Sequence, residues 1–157
     1  PDPQCSSFPS ACAPSMLMGC SRMAEESAHS NGGLQPLRLR SLEAALEQSI
    51  VAWAASVEPR GKVLSSVAST PGKLVHARFA SFGFGFVDDL LVQVDCSVDV
   101  LPGAASSTDL TAGTATDGLC TVQAQGQLRL GQSDLAVNQA RIGRLWGYLR
   151  THFQSAR

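Results

Sequence analysis

Two long segments of this chain alternate apolar and polar residues, and that alternation constrains the fold more than any other feature. One runs from Leu90 to Val98 and the other from Cys120 to Leu130. Each is typical of a β-strand with one buried face. Antiparallel pairing that sets Cys96 opposite Cys120 brings the apolar side chains of both strands onto the same face. The sequence therefore predicts this register and a Cys96–Cys120 disulfide.

The segment between these strands, residues 97–119, is rich in Gly, Ala, Ser and Thr and has no periodicity. Loops of this length are unusual in a compact domain. A disulfide at the base would confine the loop, and closing a loop of this size is worth roughly 3 kcal/mol in the chain-entropy model. We therefore expect an anchored projection that carries partner contacts.

Two other segments have apolar residues at steps of three and four, which predicts amphipathic helices. Ser41 is the expected N-cap of the first helix, and Ser133 or Asp134 is that of the second. Between the helices, Thr70-Pro71-Gly72 predicts the turn of a hairpin. The apolar stripes consist of Leu42, Leu46, Ile50, Trp53 and Val57 in the first helix, and of Ile142, Leu145, Trp146, Leu149 and Phe153 in the second.

The order of these elements predicts an α+β domain, in which an antiparallel sheet of four or more strands carries both helices on one face. Residues 1–36 are rich in Pro, Ser, Cys and Gly and are expected to form an irregular N-terminal arm. Residues 37–157 then make up a single domain, with residues 97–119 as a loop insertion. At 157 residues the chain is long enough for one core and too short for two ordinary domains.

Cysteine content and charge narrow the expected environment. Five cysteines favour a compartment that permits disulfides, and the odd number leaves one thiol over. A zinc site formed by Cys5, Cys12, Cys20 and His29 is a weaker alternative, because their spacing is not that of a zinc knuckle.

The net charge of −1 gives no general attraction to nucleic acid. No stretch approaches the roughly 20 apolar residues of a transmembrane helix, and the start at Pro1 suits a processed protein.

Two motifs are more specific than these general patterns. They are Phe86-Val87-Asp88-Asp89, which follows the predicted strand 74–79, and the string from Gly131 through Asn138 to Ile142. Together they resemble the uncharacterised family DUF1499. The resemblance implies a small protein of bacteria, algae or plants, with the photosynthetic eukaryotic members largely targeted to chloroplasts, and it implies no activity. This chain differs in having Ala136 where the family often has Gly, and in its long loop at 97–119.

The motifs bring a set of polar residues toward one end of the predicted sheet. Paired carboxylates beside arginines can form a general acid–base site. They can also form a helix cap and a salt-bridged network that fixes the second helix on the sheet, and we favour this structural interpretation. The set consists of Asp88, Asp89, Arg129, Ser133, Asp134, Asn138 and Arg141.

These observations predict a non-enzymatic accessory protein of the thylakoid lumen, docked on the subunits of a membrane complex such as a photosystem. The bacterial periplasm is the alternative location. The prediction depends on the resemblance, the cysteines, the long loop and the lack of a Gly-x-Ser-x-Gly or His-Glu-x-x-His motif. No catalytic residue, metal, cofactor or nucleic-acid partner is expected.

Two other classes of function remain open at this point. One is an enzyme that uses Asp88 or Asp89, which requires a solvent-open cleft at those carboxylates. The other is a carrier of a small hydrophobic ligand, with a cavity between the sheet and the helices. The residues expected to line that cavity are Phe82, Phe84, Phe86, Trp53 and Trp146.

Overall fold

The computed structural model describes residues 7–80, 86–97, 118–129 and 135–153. Within these residues the chain forms a six-stranded antiparallel sheet and two α-helices, which confirms the predicted α+β class. A 3-10 turn, Pro14–Gly19, precedes the sheet, and a π-helical turn, Trp53–Val57, directly follows the first helix. The strands and helices are β1 (Cys20–Met23), β2 (Leu37–Ser41), α1 (Glu43–Ala52), β3 (Gly61–Ala68), β4 (Lys73–Ala80), β5 (Val87–Ser97), β6 (Gly118–Leu128) and α2 (Val137–His152).

The sheet has the strand order β1-β6-β5-β4-β3, and β2 also pairs with β6. Strands β1 and β2 take consecutive stretches of β6, since Met23 lies opposite Ala124 and Leu37 lies opposite Val122. Strand β1 falls inside the segment predicted as an irregular arm. All four of its residues are buried, so it shows no alternation that would reveal a strand from the sequence.

Strands β5 and β6 pair in the predicted register. Cys96 lies opposite Cys120, and Val94 lies opposite Val122. The structure contains a disulfide between Cys96 and Cys120 and a second between Cys12 and Cys20. Most of the predicted loop, residues 98–117, lies outside the described residues.

The core lies between the inner face of the sheet and the two helices. Both tryptophans are buried as predicted, with Trp53 1% and Trp146 0% exposed. The indole Nε1 of Trp146 donates a hydrogen bond to the backbone oxygen of Gln35 at 2.8 Å, which satisfies its polar atom inside the core. The apolar side chains that the helices bury in this core are Leu46, Ile50, Trp53, Ile142, Leu145, Trp146 and Leu149.

The expected N-cap of the first helix is wrong. Ser41 is the last residue of β2 and pairs with Gly118, so that Leu42 occupies the N-cap position of α1. Helix α2 begins at Val137, with Ala136 in a left-handed conformation (φ 63°) at its N-cap position. Ser133 and Asp134 lie outside the described residues, several positions before that start.

The two disulfides close loops of different length, with sequence separations of 24 for Cys96–Cys120 and 8 for Cys12–Cys20. Replacing Cys96 and Cys120 together by Ala should lower the free energy of unfolding by about 3 kcal/mol, because the unfolded chain regains the entropy of the open loop. The matched Cys12→Ala/Cys20→Ala variant should lose less. Urea unfolding measures both losses, and equal stability of wild type and the Cys96/Cys120 variant would contradict the bond.

Candidate functional site

The two neighbouring carboxylates of the family motif lie on opposite faces of the sheet. Asp88 and Asp89 are consecutive residues of β5, and successive side chains of a strand point to opposite sides. Asp88 contacts α2 on the inner face, whereas Asp89 contacts residues of β4 and Arg129. The polar set predicted from the sequence is therefore divided into two clusters.

The inner cluster joins β5 to α2. Asp88 Oδ2 accepts a hydrogen bond from Arg141 Nη1 at 3.1 Å, and Asp88 Oδ1 accepts one from Asn138 Nδ2 at 3.4 Å. Arg141 Nη1 also donates to Asn138 Oδ1 at 2.6 Å. All three side chains are buried. Asn138 and Arg141 reach the same carboxylate because residues three apart share one face of a helix.

A glycine in β6 makes room for this cluster. Gly126 lies opposite Leu90 of β5, and a Cβ atom built on it would come within 2.7 Å of the Asn138 side chain. Real Cβ contacts are not that short, so any larger residue here would displace Asn138 from the sheet. The sequence pattern placed Gly126 on the apolar face of β6 but did not indicate its contact with α2.

A second buried carboxylate, Glu58, completes the inner cluster. Arg144 donates to it through Nε at 2.9 Å and through Nη2, and Arg141 Nε lies 3.5 Å from Glu58 Oε1. The hydrogen bonds to Glu58 raise the pKa of Arg144, although partial burial acts in the opposite direction. The Arg141 guanidinium also lies over the Phe79 ring, 4.6 Å from its centroid.

Sequence patterns did not identify Glu58 because of the π-helical turn before it. An uninterrupted α-helical stripe predicts Val57 on the buried face, yet Val57 is 54% exposed and Glu58 is buried. The backbone N–H of Glu58 bonds to the oxygen of Trp53 at 2.9 Å, which is the five-residue spacing of a π-turn. The extra residue in the turn brings Glu58 toward α2.

The outer cluster is centred on Asp89. Its Oδ1 accepts from Arg78 Nε at 2.8 Å and lies 3.2 Å from His76 Nε2, while Arg129 Nη1 lies 3.5 Å from Oδ2. Burial acts to raise the pKa of Asp89, but the hydrogen bonds and charges of His76 and Arg78 outweigh it and hold the pKa below its usual value. Asp89 therefore stays ionised near neutral pH.

A cleft of about 580 Å³ opens beside the inner cluster, between the π-helical turn and α2. Of the five aromatic residues expected to line a ligand cavity, Trp53 lines this cleft and Trp146 lies in the core. Phe86 is half exposed at the start of β5, and Phe82 and Phe84 lie outside the described residues. The cleft is lined by Trp53, Val57, Glu58, Pro59, Arg60, Ala80, Val137, Arg141, Arg144 and Tyr148.

The described residues provide no metal site. No three His, Cys, Asp or Glu side chains among them come close enough together to hold an ion. Two candidate zinc ligands, Cys12 and Cys20, are bonded to each other, and His29 Nε2 lies 2.9 Å from the backbone oxygen of Leu17. Neither described helix has the length and apolar character needed to cross a membrane.

Fold and site together define a small α+β domain whose second helix is joined to the sheet by buried ion pairs. The chain belongs to the family described as "Protein of unknown function (DUF1499)", whose model matches residues 10–149. Both family motifs contribute to the clusters, since Asp88 and Asp89 come from the first motif and Asn138 and Arg141 come from the second. Searches of curated proteins and of solved structures found no match.

Because Gly126 contacts Asn138 whereas Gly147 faces open space, substitutions of these two glycines should have opposite effects. Gly126→Ala should lower the free energy of unfolding by about 1–3 kcal/mol, because the new methyl group overpacks a buried site. Gly147→Ala, in α2, would place its new Cβ with no other atom within 4 Å, and it should raise the free energy of unfolding by up to about 1 kcal/mol through helix propensity. Urea unfolding of both variants measures the difference, and a neutral Gly126→Ala would contradict the packing.

The lowered pKa of Asp89 predicts a pH-dependent contribution to stability. The ion pairs contribute fully above the unfolded-state pKa of about 3.9, and their contribution is lost as pH falls through the lower folded-state pKa. Asp89→Asn should therefore reduce the free energy of unfolding at neutral pH, and the deficit should shrink below about pH 4. Urea titrations across this pH range measure the deficit.

Asp95 provides the control for this experiment. It lies on the same face of β5 as Asp89 and makes no ion pair with the described residues. Asp95→Asn should not reproduce the shrinking deficit. A deficit for Asp89→Asn that stays constant down to about pH 2 would show that the Asp89 carboxylate does not stabilise the fold through its charge.

Proposed function

We propose that this chain is a non-enzymatic accessory protein of an oxidising compartment, and specifically a peripheral subunit on the lumenal side of a thylakoid membrane complex such as a photosystem. The proposal that the protein is not an enzyme depends on one observation, the ion pairing of the two motif carboxylates. Asp88 and Asp89 are both held by arginines in ion pairs that connect elements of the fold. Their geometry supports a structural role.

The same geometry argues against the enzyme alternative. A general acid or base must reach its substrate and exchange a proton with it. Asp88 is buried, and both of its oxygens accept hydrogen bonds from α2. Asp89 is held ionised by its neighbours, which suits a stabilising charge better than a proton donor.

The cysteines support the compartment. Both disulfides of the structure are compatible with an oxidising environment, where such bonds persist. Four of the five cysteines are used, and Cys5 lies outside the described residues. The thylakoid lumen is the specific location that we propose, on the basis of the family resemblance to chloroplast-targeted proteins.

The partner contacts are proposed to lie in the segment 98–117. The Cys96–Cys120 disulfide joins the strands at the two ends of this segment. In general, a disulfide that closes a loop reduces the entropy that the loop loses on binding a partner. The chain differs here from the shorter hairpin expected of its relatives, which suits a contact particular to its lineage.

Native gel electrophoresis of gently solubilised thylakoids from the organism that encodes the protein tests this proposal. The protein should comigrate with a membrane complex. A variant with a two-residue Asn-Gly turn in place of residues 98–118, which connects the paired residues Ser97 and Leu119 directly, should fold, as judged by thermal unfolding, and should migrate alone. Recovery of the wild-type protein only as a free lumenal monomer would overturn the accessory role, and comigration of the shortened variant would exclude the loop as the contact.

A further inference from the structure

The cleft beside the inner cluster has the dimensions of a small-molecule site. Its volume of about 580 Å³ lies inside the range of roughly 300–1,000 Å³ typical of ligand pockets. Its two walls come from different elements, the π-helical turn after α1 and the first three turns of α2. The ion pairs between Glu58 and both Arg141 and Arg144 hold these walls together.

Beside the inner cluster, the cleft offers hydrogen-bond donors without matching acceptors. Arg141 Nε is fully buried and has no hydrogen-bond partner, and its 3.5 Å separation from Glu58 is an ion-pair distance only. Leaving a buried donor unsatisfied costs about 1–3 kcal/mol. Arg144 uses two of its five N–H groups on Glu58 and directs no other to an acceptor among the described residues.

The carboxylate oxygens in the same region already accept hydrogen bonds. Both oxygens of Glu58 accept from Arg144, and both oxygens of Asp88 accept from Arg141 or Asn138. Arg60 also lines the cleft. A ligand group placed beside Arg144 meets N–H donors that no described acceptor uses, which favours an acceptor-rich head such as a carboxylate.

Apolar side chains also line the cleft on both of its walls. Val57 of the π-helical turn and Val137 of α2 line it while 54% and 38% exposed, and Tyr148 lines it further along α2. A ligand that covers partly exposed apolar side chains in a concavity lowers the free energy of the complex. A hydrocarbon chain or ring is the group that fits against these valines.

We propose that the cleft binds a small amphipathic carboxylic acid. The carboxylate lies against Arg144 and Arg141, where the planar guanidinium matches its two oxygens, and the hydrocarbon part covers Val57 and Val137. This site is independent of the accessory role proposed above, because it uses no residue of the segment 98–117.

Dodecanoate and 1-dodecanol are suitable probes, since they share a hydrocarbon chain and differ in the head group. Isothermal titration calorimetry with the purified chain should detect dodecanoate binding, with weaker binding of dodecanol. Arg144→Gln should weaken dodecanoate by about tenfold or more, as expected for a charged hydrogen bond, and should change dodecanol little. Arg150→Gln, an exposed arginine of the same helix that does not line the cleft, is the control and should leave both affinities unchanged.

A blocked cleft tests the location of the ligand. Val137→Trp should abolish dodecanoate binding, whereas Val67→Trp, at a valine of β3 with a matching 39% exposure that does not line the cleft, should not. Val57→Trp is the second blocking variant if Val137→Trp fails to fold by circular dichroism. Absence of dodecanoate binding, equal binding of acid and alcohol, or full binding by a folded blocked variant would each overturn the proposal.

Discussion

The buried guanidinium of Arg141 is the interaction on which the arrangement of the inner layer depends. It lies between the carboxylates of Asp88 and Glu58 and over the ring of Phe79, so that one side chain connects α2 to β5, to β4 and to the segment after α1. Removing a charge from water is expensive, and a buried ion pair returns that cost only with good geometry. A placement of α2 that kept these side chains buried but separated them would leave buried charges unpaired. The ion pairs therefore select one orientation among those that the apolar contacts alone would allow.

The two carboxylates of the first family motif act on different layers. Asp88 fixes the helical layer, and Asp89 gathers His76, Arg78 and Arg129 on the outer face. A short stretch of one central strand thus organises polar contacts on both sides of the sheet. This accounts for an acidic pair in a family motif without assigning it to catalysis, and it leaves the cleft beside Arg144 as the place where the inner cluster meets solvent.

The parts of this fold that follow from the sequence are those with sustained periodicity. The register of β5 and β6 and the burial of Trp53 and Trp146 follow from periods of 2 and 3.6, because a wrong choice would expose many apolar residues at once. Features that depend on a single residue cannot be predicted from the sequence in this way. Serine is a residue type that often caps helices, but β2 continues to Ser41. Its backbone pairs with β6, and the N-cap position falls on Leu42. Proximity along the chain predicts a single cluster for the acidic pair, whereas the alternation of side chains along β5 separates the two carboxylates.

The π-helical turn lets a longer segment place a carboxylate where an α-helix would place a residue one position earlier. Each residue of an α-helix advances the side-chain direction by about 100°, so the residue four positions after Trp53 would lie on the same face as the indole. In this chain the π-turn gives that place to Glu58, five positions after Trp53, and leaves Val57 exposed. Deleting one residue between Trp53 and Glu58 would bring the carboxylate to the four-residue spacing, at which an ordinary α-helical turn presents it to Arg141 and Arg144. Among relatives, the acidic residue should follow the counterpart of Trp53 by five positions where the π-turn is present and by four positions where the turn is α-helical.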